Sequence, residues 1–482
     1  MDIDLLGGSY VQKYPEFNTE RTINWYPVPK VGKEKDKKEI ALFATAGLSS
    51  FVNAGGTNQR GIYTARTLTE ERCFQVVDQT LNEVNTNGTV TGRGTLTNIT
   101  NNATTIYLLN NATDLFIGHT SAAYRFTFST NTLTQITDAD YPGMEHAVYL
   151  NGYLLVVKSG RVYYSDVNDF SSWTASSVFT PTARADATKA LGLIRDSVVC
   201  LGSESSEIYV NDSTPFSKLS QSTMTIGVHA IESVVSSNEG LFFLGRTSQG
   251  QTAVYFIDQN FKMHQISNFP ITWALNNTSS DTTDAYGYIQ NTKDGHSWYY
   301  LTVPALNTTY VYDISIQDWH ERQSKIPSST YAEFRGHHFT NFSGTNLFTD
   351  LHTAKILKED WAVYTEDSQT IQRIRTSGVF NEGYQPISVY SVELDTNSLY
   401  NDTLPDNSPV IQLEYSIDSG NNWTVWGNMD LRVGASPGDI DHRTRAFKLG
   451  TGYNWALRLT LTNAIDVALL GAVAHGVVGS AE

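Results

Sequence analysis

Short runs in which apolar and polar residues alternate recur along most of the 482-residue chain. Alternation with a period of two is typical of β-strands that have one buried face. No segment keeps the i, i+3, i+4, i+7 apolar spacing of a helix over more than two turns. The pattern therefore predicts an all-β protein.

One motif repeats within this alternation, a tyrosine followed three residues later by an aspartate at the end of a strand-like run. The four copies are Tyr163 with Asp166, Tyr209 with Asp212, Tyr255 with Asp258, and Tyr310 with Asp313. Their aspartates are 46, 46 and 55 residues apart. A second apolar run precedes each copy, at residues 154–157, 197–201, 241–244 and 298–301. Repeats of this length built from short strands are typical of β-propeller blades.

Weaker copies on both sides extend the array. The sequence thus predicts six or seven blades between about residue 41 and residue 365. A propeller closes when a strand from one end of the array completes the blade at the other end. Residues 40–43 and residues 48–52 are the two candidates for this closing strand.

The four repeated aspartates have two interpretations. An aspartate at the end of a strand commonly forms a turn, because its carboxylate accepts hydrogen bonds from backbone N–H groups two residues further on. The alternative is that one of these carboxylates contacts a ligand. The turn interpretation is favoured, since all four occur at the same place in the repeat.

The C-terminal region lacks the repeat and shows at least five further strands between residues 387 and 462, which predict a small β-sandwich. Three domains follow: an extended N-terminal clamp at 1–40, a β-propeller at 41–365, and a C-terminal β-sandwich with its linker at 366–482. The sandwich contains an Asp-box hairpin motif, formed by Ser416, Asp418, Gly420 and Trp423. A single copy outside the propeller is weak evidence for glycosidase chemistry.

The most distinctive short sequence lies near the N-terminus and consists of Asn24, Trp25, Tyr26, Pro27 and Val28. Its two prolines, at 27 and 29, predict an extended segment rather than a helix. Aromatic residues outside the repeat should pack on the propeller or on a partner, so this segment is a candidate partner interface. Stability is expected to depend more on Trp298 or Phe243 than on these N-terminal aromatics.

Composition restricts the class of protein. The chain has 33 Lys plus Arg against 49 Asp plus Glu and a net charge of −16, which disfavours sequence-independent binding to nucleic acid. Its two cysteines provide neither a disulfide framework nor a thiolate metal site, which predicts folding in a reducing cytoplasm. We expect no secretory signal and no membrane insertion, because no basic start precedes an apolar core and no 18 apolar residues run together.

The search for catalytic or metal-binding groups gives two weak candidates. His337 and His338 are adjacent, and alternation along a strand would point them to opposite faces. The run 318–321, Asp-Trp-His-Glu, is divided by the same alternation. We therefore predict no catalytic residue, no metal site and no cofactor. A sialidase-like or glycan-binding propeller is the alternative interpretation, and a receptor-binding fibre, which would need a repetitive stalk, is a third.

Several short sequence segments together resemble those of a known family. They are the segment at 24–28, the Gly47-Leu48 pair, residues 192–196 with 198–203 and 207–209, and residues 227–228 with 243–245 and 255–257. On these segments and the domain order, the chain resembles the tail hub, or packaged DNA stabilization protein, of short-tailed bacteriophages, a podovirus-type tail accessory factor. It differs at Ala46, where the family commonly has proline.

The resemblance implies a non-enzymatic virion protein of the phage tail that assembles in the host cytoplasm. Proteins of this kind form a homo-hexameric ring below the portal and its adaptor, close the channel after packaging, and contact tail spikes or fibres and a needle or plug. DNA would pass through the channel without specific binding. The resemblance assigns no individual residue to any of these interfaces.

Overall fold

The chain folds into a ring of β-sheet blades joined to a two-sheet sandwich. The computed structural model describes residues 3–29, 40–100, 104–182, 184–212, 215–326, 330–383, 385–398, 409–431 and 441–479. Within these ranges there are seven blades, the upper of the two predicted numbers. In the same residues no helix is long and apolar enough to cross a membrane.

Blades 1 to 4 are antiparallel sheets of four consecutive strands. Blade 1 contains Gln59–Arg66, Glu71–Val77, Thr80–Val84 and Val90–Thr95. Blade 2 contains Tyr107–Asn110, Asp114–Gly118, Ala123–Thr127 and Thr132–Gln135. Blade 3 contains His146–Leu150, Tyr153–Lys158, Arg161–Asp166 and Asp169–Phe179. Blade 4 contains Thr188–Ile194, Ser197–Gly202, Ser206–Val210 and Ser217–Lys218.

Blades 5 to 7 carry additions to this plan. Blade 5 contains Ile226–Val228, Val235–Ser236, Gly240–Thr247, Thr252–Asp258 and Met263–Gln265, with a 3₁₀ turn at Ile231–Ser233. The α-helix Phe269–Asn277 follows it. Blade 6 contains Tyr286–Asn291, Ser297–Val303, Thr308–Asp313 and Asp318–Lys325, with the 3₁₀ turn Pro304–Leu306 and the added strand Tyr331–Glu333. Blade 7 contains Gly336–Phe342, Thr345–Asp350, Lys355–Asp360 and Gly47–Asn53, beside which lie Thr365–Glu366 and Gln369–Thr370.

The apolar run before each repeated aspartate is the second strand of a blade, and it is buried on both faces. In blade 3, Leu154 and Val156 pack in a cluster with residues of blade 2. Leu155 and Val157, which point the other way, pack with Val198 of blade 4. A strand between two neighbouring blades has no solvent face, so it is continuously apolar rather than alternating.

The ring closes in two places. The first strands of successive blades contact one another around the centre, and the last contact joins blade 7 to blade 1. There the Thr64 N–H donates to Thr340 Oγ1 at 3.0 Å. At the rim, Gly47–Asn53 pairs antiparallel with Lys355–Asp360 as the fourth strand of blade 7. Residues 48–52 were thus the right candidate for the closing strand, and residues 40–43 were the wrong one.

Glycine at position 47 is required by a close backbone approach. The Gly47 N–H donates to the carbonyl oxygen of Val363 at 2.8 Å. A Cβ at this position would lie 2.3 Å from that oxygen and 2.5 Å from the carbonyl oxygen of Thr365. The start of the closing strand therefore holds the segment that follows blade 7 directly against it.

Two facing sheets form the sandwich. Sheet I contains, in spatial order, Trp25–Pro29, Ile40–Ala44, Val467–Val478, Ile387–Ser398 and Asp441–Gly452. Sheet II contains Arg21–Ile23, Arg373–Thr376, Ala456–Leu461, Val410–Ser416 and Thr424–Asp430. Their inner faces share one apolar core that includes Trp25, Leu413, Trp455 and Leu469. Sheet II is continuous with blade 6, because Ile23 pairs in parallel with Glu321.

The structure divides the chain differently from the predicted boundaries at 40 and 365. The N-terminal strands are not a separate clamp, since they belong to both sheets of the sandwich and to the edge of blade 6. The region just after residue 365, where the linker to the sandwich is predicted, supplies the strand Arg373–Thr376 to sheet II. The apolar stretch at 464–478 forms the long strand Val467–Val478, which was missing from the predicted strands.

Candidate interaction surfaces

The N-terminal segment from Asn24 to Val28 lies at the junction of propeller and sandwich. Asn24, Trp25, Tyr26 and Pro27 are buried, and Val28 is half-buried. Their burial is provided by the chain itself and needs no partner. The assignment of this segment as a partner interface stays a prediction, and only Val28 of the five keeps an appreciable surface for one.

Asn24 separates the strand of sheet II from the strand of sheet I. Its φ of 56° lies in the left-handed region, which asparagine tolerates better than most residues. Its side-chain amide donates to the carbonyl oxygens of Gln323 at 2.9 Å and Gln372 at 2.7 Å. Its side-chain oxygen accepts from the Gln323 N–H at 3.1 Å. One side chain thus ties the last strand of blade 6 to the start of the sandwich.

The two aromatic residues after Asn24 point into different cores. Trp25 packs inside the sandwich, whereas Tyr26 packs with Trp298, Phe334 and Leu357 of blades 6 and 7. The Tyr26 hydroxyl donates to Asp294 Oδ2 at 2.7 Å. Because successive side chains on a strand point to opposite faces, one short strand joins both domains.

The four repeated aspartates accept hydrogen bonds from residues that follow the third strand of blades 3 to 6, either in the turn or on the fourth strand. Asp166 accepts from Ser172 Oγ at 2.6 Å, and Asp212 accepts from Ser217 Oγ at 2.5 Å. Asp258 accepts from the backbone N–H groups of Asn260 and Lys262. Asp313 accepts from the backbone N–H of Ser315 and, being fully buried, also from His296 and Trp298. The contacts of Asp258 and Asp313 with backbone N–H groups are those of turn-forming residues, whereas Asp166 and Asp212 tie the third strand to a serine of the fourth.

The tyrosines of the repeat pack between blades. Tyr209 and Tyr255 are buried, and Tyr163 and Tyr310 are half-buried. The motif therefore combines a packing residue with a turn residue at each strand end.

The Asp box forms the hairpin between Val410–Ser416 and Thr424–Asp430. Ser416 Oγ donates to Asp418 Oδ1 at 2.7 Å and accepts from the Gly420 N–H at 2.8 Å. Gly420 has a φ of 85°, which favours glycine. The ring of Trp423 lies under the Arg458 guanidinium, 4.4 Å from its centre. The hairpin is satisfied by its own residues, as expected of a folding motif.

His337 and His338 were expected to point to opposite faces of their strand, but they lie together. Their rings are only 4.0 Å apart, because the pairing of their strand is irregular between Gly336 and Phe339 and ordinary alternation is lost there. Burial lowers the pKa of His337 to about 4 and that of His338 further below its usual value. In the residues that the structure describes, no three His, Cys, Asp or Glu side chains are grouped to hold a metal ion.

Buried histidines make the protein sensitive to acid. Burial lowers the pKa of His146 to about 4 and that of His320 to about 3, and neither ring nitrogen of His320 has a hydrogen-bond partner among the described residues. Unfolded histidine has a pKa near 6.5, so below that value the unfolded chain binds protons that the folded chain does not. The pKa of His296 is raised by its hydrogen bond to Asp313, so this residue stabilises the fold as the pH falls. The histidines with lowered pKa are more numerous, and their effect on stability prevails.

We expect the free energy of unfolding to fall between pH 7 and pH 5, by up to about 1.4 kcal/mol per pH unit for each such histidine. Denaturant titrations at both values measure it. His320→Leu should reduce the pH dependence without loss of stability at pH 7, because it removes two unsatisfied buried nitrogens. An unchanged pH dependence of the unfolding free energy in this variant would contradict its assignment to buried histidines.

The centre of the propeller is crossed by a hydrogen bond. The Tyr107 hydroxyl, on the first strand of blade 2, donates to Glu232 Oε1 of blade 5 at 2.7 Å. Burial raises the pKa of Glu232. Because blades 2 and 5 are not neighbours, this contact spans the central opening. The opening of a single propeller is therefore no passage for a DNA duplex.

Exposed apolar side chains are unevenly distributed over the described surface. We call the outer face of sheet I around Tyr390, Phe447 and Val477 the sandwich patch; these side chains are 57%, 55% and 53% exposed. Further exposed apolar residues of the sandwich sheets or their loops are Phe43, Ile417, Val425, Tyr453, Leu470 and Val478. A second group, in the N-terminal loop, consists of Val11, Tyr14 and Phe17. Among the described propeller residues, only Leu68, Val167 and Phe269 are large, apolar and exposed.

Charged residues border the sandwich patch. Arg445 Nε lies 2.6 Å from Glu393 Oε2, and Arg443 lies 3.7 Å from the same carboxylate. The two arginine side chains remain 55% and 67% exposed, whereas Glu393 is almost buried. The patch is thus apolar with a basic border on a strongly acidic chain.

The fold is a seven-bladed propeller with an attached sandwich that carries most of the exposed large apolar side chains. The repeated carboxylates bond to residues beside them in the blades. These features define a structural or binding class of protein. The family comparison specifies it further. The chain belongs to the phage stabilisation family described as bacteriophage P22 Gp10, beta-propeller, whose model matches residues 1–361. It is accordingly a bacteriophage protein of a structural, virion-associated family.

Other comparisons add little. No curated protein sequence matches the chain significantly. Virginiamycin B lyase from Staphylococcus aureus has 11% identity and a TM-score of 0.43, covering 66% of this chain and 98% of the lyase. The WD40 domain of Neurospora crassa Pan2 has 10% identity and a TM-score of 0.42, covering 66% and 94%. Values this low support no conclusion about function.

Proposed function

We propose that this chain is the hub of a phage tail and acts without catalysis. Six copies form a ring below the portal and its adaptor, which closes the DNA channel, retains packaged DNA and anchors spikes or fibres and a needle or plug. The observation that carries the proposal is the concentration of exposed apolar side chains on the sandwich and the N-terminal loop. Large exposed apolar patches mark protein interfaces.

The outer surface of the blades, which has few exposed apolar side chains, and the sandwich then have different roles. The sandwich patch, with its basic border, contacts an acidic surface of the next copy. A contact between two different surfaces closes into a ring when the rotation between copies divides a full turn. The blades face the other tail proteins or solvent.

Two features suit a ring around DNA. The net charge of −16 disfavours binding to the phosphate backbone, so DNA passes through the ring without being bound. The propeller centre is crossed by the Tyr107–Glu232 hydrogen bond. The channel is therefore made by several copies together and not by one propeller.

Quantitative mass spectrometry of phage particles tests the proposal. We expect about one copy of this chain for every two portal subunits, as for a sixfold ring below a twelvefold portal. Phe447→Glu should leave a folded chain that fails to enter particles. Leu68→Glu, which places the same charge at a fully exposed propeller site, should be incorporated normally. Absence of the chain from particles, or a copy number of three per spike, would refute the hub.

A further inference from the structure

A cleft of about 510 Å³ lies where the propeller meets sheet I. Blade 6 contributes a hairpin turn to it, the segment after blade 7 contributes a second wall, and sheet I contributes the third. Its principal lining residues are Tyr26, Phe43, Asp294, Trp361, Tyr364 and Asp466. The four repeated aspartates and the residues of the sandwich patch are not among the lining residues of this cleft.

Aromatic rings surround the cleft at steep angles to one another. The ring centre of Tyr26 is 6.1 Å from that of Phe43 and 6.5 Å from that of Trp361, and both ring pairs are inclined at 81°. Phe43 remains partly exposed at the rim. Tyr26 itself is buried, but the partly exposed rings of Phe43, Trp361 and Tyr364 also line the cleft, and an aromatic lining of this kind favours a cation.

Two carboxylates add negative charge to this space. Asp294 accepts a hydrogen bond from the Tyr26 hydroxyl at 2.7 Å, and Asp466 lies in the lining together with Tyr364. The nearest positively charged side chains neutralise these two carboxylates only in part. His296 Nε2 is 4.0 Å from Asp294 while its other nitrogen is bonded to Asp313, and the fully buried Arg373 interacts with Asp466 from outside the cleft. No lysine or arginine is among the lining residues that the structure describes.

One hydrogen-bond donor in the lining is unused. The indole Nε1–H of Trp361 is buried, and no acceptor for it exists among the described residues. A buried donor of this kind normally has a partner. A peptide carbonyl oxygen would satisfy it, which distinguishes a peptide ligand from a simple inorganic cation.

We propose that this cleft binds a lysine or arginine side chain of a partner protein, with the ammonium or guanidinium group between the aromatic rings and the carboxylates of Asp294 and Asp466. The main chain beside that side chain supplies an acceptor for Trp361. The occupant is a basic segment of another protein, because the cleft is both acidic and aromatic and the rest of its lining, apart from Asn397, is apolar. The inference goes beyond the hub function and does not depend on it.

Binding of short peptides to the purified full-length chain tests the inference. The probe is acetyl-Gly-Lys-Gly-amide, and its control has norleucine in place of lysine, which keeps the length and removes the charge. Titration calorimetry, with 5-fluorotryptophan NMR to locate Trp361, should show at least about tenfold tighter binding of the lysine peptide. Equal binding of both peptides, or no binding of either, would overturn the proposal.

Substitutions locate the site. Asp294→Asn and Asp466→Asn should each weaken lysine-peptide binding at least about fivefold, because each removes one charge and keeps a hydrogen-bonding side chain. Asp196→Asn, at an exposed turn of blade 4, removes the same charge far from the cleft and should change nothing. Unaltered binding by both cleft variants would refute the site.

A second kind of variant covers the case in which the asparagine variants fold poorly. Leu470 is 37% exposed at the rim, and Leu470→Lys places an internal ammonium group where the ligand would lie. This surface change should abolish peptide binding without a change in thermal unfolding. Undiminished binding in Leu470→Lys, or self-association of the chain through the cleft in place of peptide binding, would overturn the proposal. The assay uses no particles, so its outcome is independent of the test of the hub.

Discussion

Replacing Trp25 by alanine is expected to destabilise the sandwich by about 3 to 5 kcal/mol, the usual range for truncating a buried tryptophan. Trp25 is 1% exposed and packs in the core between sheets I and II. The strand that carries it forms the edge of sheet I, so a cavity there also loosens the link to blade 6. Denaturant unfolding followed by hydrogen exchange of residues 456–461 and 467–478 measures the effect.

Phe17→Ala is the matched control, because Phe17 is an N-terminal aromatic residue that is 76% exposed. Its substitution should change stability by less than about 0.5 kcal/mol. Strands of the distant blade 4, at residues 197–202, should keep their slow exchange in both variants. A loss below about 1 kcal/mol for Trp25→Ala would contradict the integral role of the N-terminal strand.

Asp350→Asn is expected to cost about 3 to 5 kcal/mol, because it leaves a buried arginine without its full counter-charge. Arg335 donates to the two carboxylate oxygens of Asp350 at 2.9 and 2.8 Å, and both side chains are almost completely buried. Arg335 also donates to the carbonyl oxygen of Glu366 at 2.9 Å. The pair thus holds blade 7 to the segment that leads into the sandwich, and its loss should appear as a lower unfolding temperature.

Glu145→Gln makes the same chemical change in an exposed ion pair. Glu145 lies 3.5 Å from Lys158, and both side chains are 36% exposed. Exposed pairs contribute at most about 1 kcal/mol, so this variant should unfold almost like the parent. Similar losses in the two variants would show that the burial of the Arg335–Asp350 pair is unimportant.

Much of the propeller could be predicted because its determinants are local. Each Tyr-x-x-Asp copy marks the end of a third strand, and the apolar run before it is the second strand, buried between blades. The closing strand was narrowed to two candidates. Local pattern could not choose between them, because residues 40–43 and 48–52 are both strands. Residues 40–43 pair with Trp25–Pro29 and Val467–Val478, whereas residues 48–52 pair with Lys355–Asp360.

The junction could not be predicted, because its contacts join residues about 300 positions apart. Nothing local to Arg21 indicates that its guanidinium meets Glu321 at 2.7 Å. The expectation that stability depends more on Trp298 or Phe243 than on the N-terminal aromatics stays a prediction. Burial does not separate these residues, since Trp25, Tyr26 and Trp298 are each 1% exposed. Likewise, the irregular pairing that brings His337 and His338 together depends on the partner strand and not on their own sequence.

The position of the first strands has a consequence for synthesis on the ribosome. Apart from the pairing of Trp25–Pro29 with Ile40–Ala44, the strands within residues 21–29 and 40–53 pair with strands of blade 6, blade 7 and the sandwich that are translated after residue 317. Blades 1 to 5 can form as the nascent chain emerges, while the leading segment has only its own strands to pair with for most of translation. Pairing over such sequence separations is slow, so closure is a late step. A fragment released before blade 6 is made leaves the outer edges of its leading strands unpaired and exposes them to quality control.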